Sequence, residues 1–157
     1  MTPTFKHRNL PHLLLLVREQ LMGSFRPLLR ERGVTEQQWR VLRVLSESNA
    51  MEPNQLALAC TLLSPSLTRM LSTMESAGLI HRERSALDHR RQNISLTQKS
   101  RELLVEMGPL VDAQYEAIEA RLGETLTAEL YATLDSALHR LDPLDAALAG
   151  HPAPTRC

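Results

Sequence analysis

The sequence predicts a mostly helical fold with a single β-hairpin set into it. Leu and Ala recur throughout while aromatic residues make up only 3%, a mix that favours helix over sheet. Apolar residues repeat at steps of three and four along most of the chain, and the period drops to two only between residues 79 and 96. With 157 residues, 43% hydrophobic and 23% charged, the chain has the size and balance of one globular domain with a real core.

Residues 9–32 read as a long helix, with Leu10, Leu14, Val17, Leu21, Phe25 and Leu28 on one face. Leu13, Leu15 and Leu16 widen the apolar surface, so this helix is expected to pack on two sides. Pro27 should bend it and Gly33 should end it. Thr35 opens a second helix, with Gln38 completing a capping box and Trp39, Leu42, Leu45 and neighbouring Val41 on the buried face. Pro53 starts a short helix ending near Cys60. Ser64-Pro65 reads as a cap followed by a first-turn proline, starting a helix that runs to about Ala77 before Gly78. Its apolar side is Leu67, Met70, Leu71 and Met74, and its polar side is Ser66, Arg69, Ser72 and Thr73.

Residues 79–84 and 92–96 read as two strands joined by a polar tip. Thr97 caps a helix through about Leu122, buried along Leu103, Leu104, Met107, Leu110, Val111 and Ile118, and Gly108-Pro109 predicts a kink or break in it. A last helix over residues 127–141 uses Leu130, Leu134, Leu138 and Leu141, with Pro143 stopping or bending it. Residues 149–157 are expected to be a disordered tail.

Several function classes fall away. The apolar run at residues 13–17 is too short to cross a bilayer, and no small-residue cleavage site follows it. A cytoplasmic protein with no membrane partner is expected. Two cysteines, Cys60 and Cys157, make neither a disulfide framework nor a metal set. The six histidines lack metal-ligand spacing, and no phosphate loop or nucleophile elbow is present. The expectation is no enzyme, no metal and no cofactor.

The zero net charge hides an asymmetry. Residues 1–101 carry 15 Lys+Arg against 8 Asp+Glu, and residues 102–157 carry 3 against 10. Sixteen of the eighteen basic residues are Arg, the side chain suited to forked contacts with phosphate, carboxylate and guanine. One face is therefore built for a negative partner.

A short helix, a turn, a helix with a small polar face and then a basic hairpin make a winged helix-turn-helix, and the partner this architecture suits is double-stranded DNA. A helix fills the major groove, and side chains at its start reach base edges. Ser64, Pro65, Ser66, Thr68, Arg69 and Thr73 are the candidates there. On the hairpin they are Arg84, Asp88, His89, Arg90 and Arg91, with arginine at the tip suited to a narrow minor groove. A winged helix used for protein contacts is the competing reading, and it would not need arginine at the tip.

Residues 35–45, the helix at residues 64–78 and the run Asp88-His89-Arg90, five residues, Leu96-Thr97 resemble the MarR family of bacterial transcriptional regulators over roughly residues 10–145. The resemblance implies a homodimer on a pseudo-palindromic operator. Arg90 would enter the minor groove and Asp88 would orient the wing arginines. Within the family, Phe25-Arg26-Pro27 with residues 35–43 resembles the repressors of homoprotocatechuate (4-hydroxyphenylacetate) degradation operons. Residues 1–34 and 97–148 are then dimerisation helices and residues 35–96 the DNA-binding domain. The terminal helices argue for a dimer independently, because they carry more apolar stripe than one small domain can bury.

A regulator of this kind needs an element that a ligand biases. Trp39 and Arg43 lie one turn apart, an aromatic wall beside a cation, and His12, Arg18 and Met22 line the first helix nearby. That set suits a small aromatic carboxylate such as hydroxyphenylacetate, phenylacetate or indoleacetate. Each residue also has a plainer role open to it. Trp39 fits the core, Arg43 fits a surface pair with Glu47, Arg18 fits a partner's acid and His12 fits a contact beside it. The alternative function is thiol-based sensing through Cys60, against which stands the ordinary buried thiol.

Overall fold

The computed structural model describes residues 5–84 and 92–149, with side chains through Leu141. The chain runs α1 (Leu10–Glu31), α2 (Glu36–Ser48), β1 (Ala50–Met51), α3 (Pro53–Ala59), α4 (Ser64–Ser76), β2 (Ile80–Arg84), β3 (Gln92–Leu96), α5 (Gln98–Leu122) and α6 (Glu124–Ala149). The mostly helical winged helix-turn-helix is the observed fold, with β3 central in an antiparallel sheet ordered β1-β3-β2. Register runs from Ile80 opposite Leu96 to Arg84 opposite Gln92. The two-residue strand β1 carries too little periodicity to be read from sequence.

Local chemistry explains most boundaries. The Asn9 side chain caps α1, and Thr35 with Gln38 closes the expected capping box on α2. Three helices end in one motif. Gly33 and Val34 close α1 on Arg30 and Leu29, and Gly78 and Leu79 close α4 on Glu75 and Met74. Thr61 and Leu62 close α3 on Leu58 and Ala57 in the same way. The motif needs a left-handed residue, supplied by Gly33 at φ +66°, Gly78 at φ +69° and, against steric preference, the β-branched Thr61 at φ 52°. This is the turn of the helix-turn-helix.

Two expected boundaries shift. Helix α4 begins at Ser64 with Leu63 as its N-cap, so Ser64 is the first helical residue and not the cap. Proline is tolerated at either of the first two helical positions, since neither N–H has an intrahelical partner. Pro65 therefore did not fix the start. Helix α6 begins at Glu124 and continues past Pro143 to Ala149, whereas residues 127–141 with a stop or bend at Pro143 were expected and Ala149 was placed in the tail, whose residues 150–157 lie outside the described residues. Helix α5 also runs unbroken through Gly108-Pro109. Burial of Met107 and Val111 on either side of Pro109 offsets the one lost backbone bond.

Two apolar clusters form. The larger joins Val41, Leu42, Val44 and Leu45 of α2 to Leu56, Leu67, Leu71, Met74, Ile80, Ile94 and Leu96, which closes the helix-turn-helix on its sheet. The smaller packs Phe25 and Leu29 of α1 on Met107 and Val111 of α5. Trp39 and Leu103 lie against both. Thr97 fixes the wing to the long helix, since its hydroxyl accepts from the Ser100 backbone and donates to the Gly78 carbonyl at 2.7 Å.

Candidate functional site

Two surfaces of different character stand out. The first is the outer face of α4. Ser64, Pro65, Ser66, Thr68, Arg69, Ser72 and Thr73 are all exposed, as Leu67, Leu71 and Met74 turn into the core. Thr68 and Thr73 give their hydroxyl protons to the carbonyls one turn back, Ser64 and Arg69. Their oxygens are left to accept, while Ser64, Ser66 and Arg69 keep side-chain donors to offer a partner. Ser72 is used differently from expectation. It accepts from Nη2 of Arg82 on β2 at 3.0 Å, while Arg82 Nε lies 3.1 Å from Glu75, off the line of a hydrogen bond. Arg82 thus fastens the helix to the wing strand. Arg84 is exposed at the end of that strand, and Asp88, His89, Arg90 and Arg91 lie outside the described residues.

The second surface is a cavity of about 250 Å³ where α1, α2 and α5 meet, lined by Arg18, Met22, Phe25, Glu36, Trp39, Arg40, Arg43, Val111 and Tyr115. Four of the five residues nominated from sequence come together here. His12 does not. It is exposed in the first turn of α1, where its backbone N–H donates to the Asn9 cap. Arg18 pairs within its own chain, with Glu19 at 2.6 Å and Glu36 at 2.8 Å. Trp39 serves as both wall and core, half-buried between the two clusters.

Sequence reasoning missed Phe25, Glu36, Arg40, Val111 and Tyr115. Glu36 stands three residues before Trp39, one helical turn away, a spacing that makes it legible in hindsight. Tyr115 comes from a helix more than seventy residues on, and nothing local points to it. Its ring meets Phe25 at 5.0 Å between centroids, tilted by 57°. Burial raises the Tyr115 hydroxyl above its ordinary pKa, as do Tyr131 and Asp112, against a smaller opposing pull from Arg43. The phenol therefore stays neutral and keeps a proton to donate.

The cations of this wall are not equally available. Arg18 is held by two carboxylates, and Arg40 donates to the Cys60 carbonyl at 2.8 Å. Arg43 has no ion pair among the described residues, so the alternative surface pair with Glu47 is not made. An uncommitted guanidinium beside a tryptophan, a phenylalanine and a tyrosine has the chemistry that suits a flat anion. Cys60, by contrast, is fully buried in the larger cluster, where a thiol is poorly placed to meet an oxidant. Among the described residues no cluster of metal-ligating side chains occurs, and no helix is long and apolar enough to cross a membrane.

Comparison with known proteins agrees with this architecture. The MarR family model matches residues 34–91. The HTH-type transcriptional regulator FarR of Neisseria gonorrhoeae is 39% identical over 141 residues, 85% of this chain and 96% of FarR. The homoprotocatechuate degradative operon repressor of Escherichia coli is 39% identical over 115 residues, 73% of this chain and 78% of that one. The solved structure of NadR in complex with 4-hydroxyphenylacetate superposes with a TM-score of 0.74 at 37% identity, covering 87% of this chain and 97% of NadR. These relatives are regulators and not enzymes. With the fold, the helix-turn-helix and two near-full-length likenesses in agreement, the chain belongs to the MarR family of transcriptional regulators.

Proposed function

We propose that the protein is a homodimeric repressor that holds a pseudo-palindromic operator and releases it when a small aromatic carboxylate enters the Trp39 cavity. The observation that carries the reading is the cavity's makeup, aromatic walls around Arg43, whose guanidinium is bonded to no other described residue. An arylacetate would lay its ring on Trp39 and Phe25 and give its carboxylate to Arg43 and the neutral Tyr115 hydroxyl. The 4-hydroxyphenylacetate held by NadR and the operon named for the E. coli relative support this ligand class and control of an aromatic-compound catabolic operon.

The operator is read by α4 through Ser66 and Arg69 and by the wing through Arg84 and the tip residues Asp88, His89, Arg90 and Arg91. Dimerisation falls to α1, α5 and α6. Leu10, Leu14, Leu15, Leu16 and Val17 at the start of α1 and Leu126, Tyr131, Leu134, Leu138 and Leu141 on α6 are exposed in the single chain, more apolar surface than a soluble monomer leaves open. As a DNA-bound regulator, the protein works in the cytoplasm.

Anisotropy of labelled DNA from upstream of the protein's own coding region, at fixed salt and with a panel of arylacetic acids, tests the reading. Tight binding released by one acid is expected. Arg43→Met should keep operator affinity within about twofold and lose the response to acid. A variant whose acid titration overlays wild type removes Arg43 from the site, and failure to bind any DNA from a selected pool removes the repressor reading.

A further inference from the structure

We infer that a closed ring of four charges, Arg18, Glu19, Arg26 and Glu36, tunes the cavity to singly charged acids and excludes dicarboxylates. This rests on the proposed aromatic-acid site and adds which acids it takes. Arg18 Nη1 meets Glu19 Oε1 at 2.6 Å and Arg18 Nη2 meets Glu36 Oε2 at 2.8 Å. Arg26 completes the circuit, Nη2 to Glu19 Oε2 and Nε to Glu36 Oε1. Every carboxylate oxygen in the ring has its own guanidinium nitrogen, and the ring is neutral as a whole. Burial pushes the Glu36 carboxyl up, but the hydrogen bonds from Arg26 and Arg18 outweigh it and hold Glu36 below its ordinary pKa, ionised at neutral pH.

Only Arg18 and Glu36 of the four line the cavity. The ring therefore does two things to the wall. It withholds Arg18, already satisfied twice, and it fixes a carboxylate there. A monoanion finds Arg43 and needs nothing more. A second carboxylate faces Glu36 across a partly desolvated space, where like charges repel strongly. Its other courses are to turn Arg40 away from the Cys60 carbonyl or to draw Arg18 out of both pairs, which strands Glu19 and Glu36 on Arg26 alone. Each course costs affinity, and we expect at least a tenfold penalty.

The chain's one tryptophan is Trp39, so quenching of intrinsic fluorescence reads occupancy directly, without DNA. The probes are phenylacetates bearing a second group at the ortho, para or α position, each made as the carboxylate and as the carboxamide of nearly equal shape. Wild type should bind the carboxamide at least tenfold more tightly than the matched dicarboxylate at neutral pH. Glu36→Gln should bring that ratio close to one. Glu19→Gln opens the ring without touching the cavity wall and should lower the ratio part of the way, which guards against a local defect at Glu36. Equal binding of the pair by wild type overturns the inference, as does a ratio unchanged in both variants. If no carboxamide binds while phenylacetate does, size and not charge sets the selectivity, and the inference again falls. If phenylacetate and its hydroxylated relatives all leave Trp39 unquenched, it is the aromatic-acid site itself that fails.

Discussion

The helix-turn-helix and the terminal helices are built from similar residues, yet they differ in how much of their apolar surface one chain covers. In the first region Val41, Leu42, Leu45, Leu56 and Ile94 are sealed completely, because α2, α3, α4, β2 and β3 close around them. In the second, α6 contributes none of its described side chains to either cluster and exposes a leucine on nearly every turn through Leu141. A leucine is worth about the same wherever it is buried. The difference teaches that one region is finished by its own sequence and the other is left with an apolar face uncovered.

The largest expected effect tests the finished side. Leu42→Ala should cost about 3–4 kcal/mol in denaturant unfolding, as for a fully enclosed leucine whose cavity cannot collapse. Its cost should be the same at every protein concentration. Leu134→Glu with Leu138→Glu tests the other side. Sedimentation should show association weakened by at least about 100-fold, near 2.7 kcal/mol, with the fold of the helix-turn-helix unchanged by circular dichroism. A double variant that still sediments as wild type would mean these leucines are covered by some other contact.

A smaller effect lies at the turn between α3 and α4. Gly33 and Gly78 occupy the left-handed position in two helix ends, and Thr61 occupies it in the third. Thr61→Gly should raise stability by about 0.5–1 kcal/mol, relief of steric strain less the entropy of glycine. A loss on denaturation would show that the threonine hydroxyl holds the turn more firmly than its branching strains it.

The smallest effect concerns pH and joins the two regions, because Glu36 of α2 is gripped by two arginines of α1. Its carboxyl lies below the ordinary value when folded, so its contribution is complete above the unfolded carboxylate pKa and is lost as pH falls through the folded one. Stability of Glu36→Gln should therefore fall less steeply than wild type on acidification below about pH 4.5. Parallel curves would mean that the ring adds nothing to folding.

Legibility followed the distance over which the chemistry acts. Thr35 with Gln38, Gly33 and Gly78 are punctuation settled within four or five residues, and each stands where the sequence reading put it. The helix α4 likewise displays Ser66 and Arg69 outward because Leu67, Leu71 and Met74 repeat at helical spacing. The cavity was only half readable. Trp39 and Arg43 announce themselves as neighbours on one helix, but Tyr115 reaches them through the packing of α5 on α1. Periodicity does not encode that. Ser72 is outward as read but also anchors Arg82, a pairing between a helix and a strand that spacing along one element cannot express.

Trp39 belongs to both apolar clusters at once, and this shapes how the protein is able to evolve. Most binding sites let their walls drift as long as the scaffold behind them holds. Here the wall is a joint of the scaffold, so exchanging the indole for a smaller side chain opens a void in two cores together. A cavity of new shape is more cheaply reached by changing the rim, at Met22, Phe25, Glu36 or Tyr115, while the tryptophan stays fixed as the common floor.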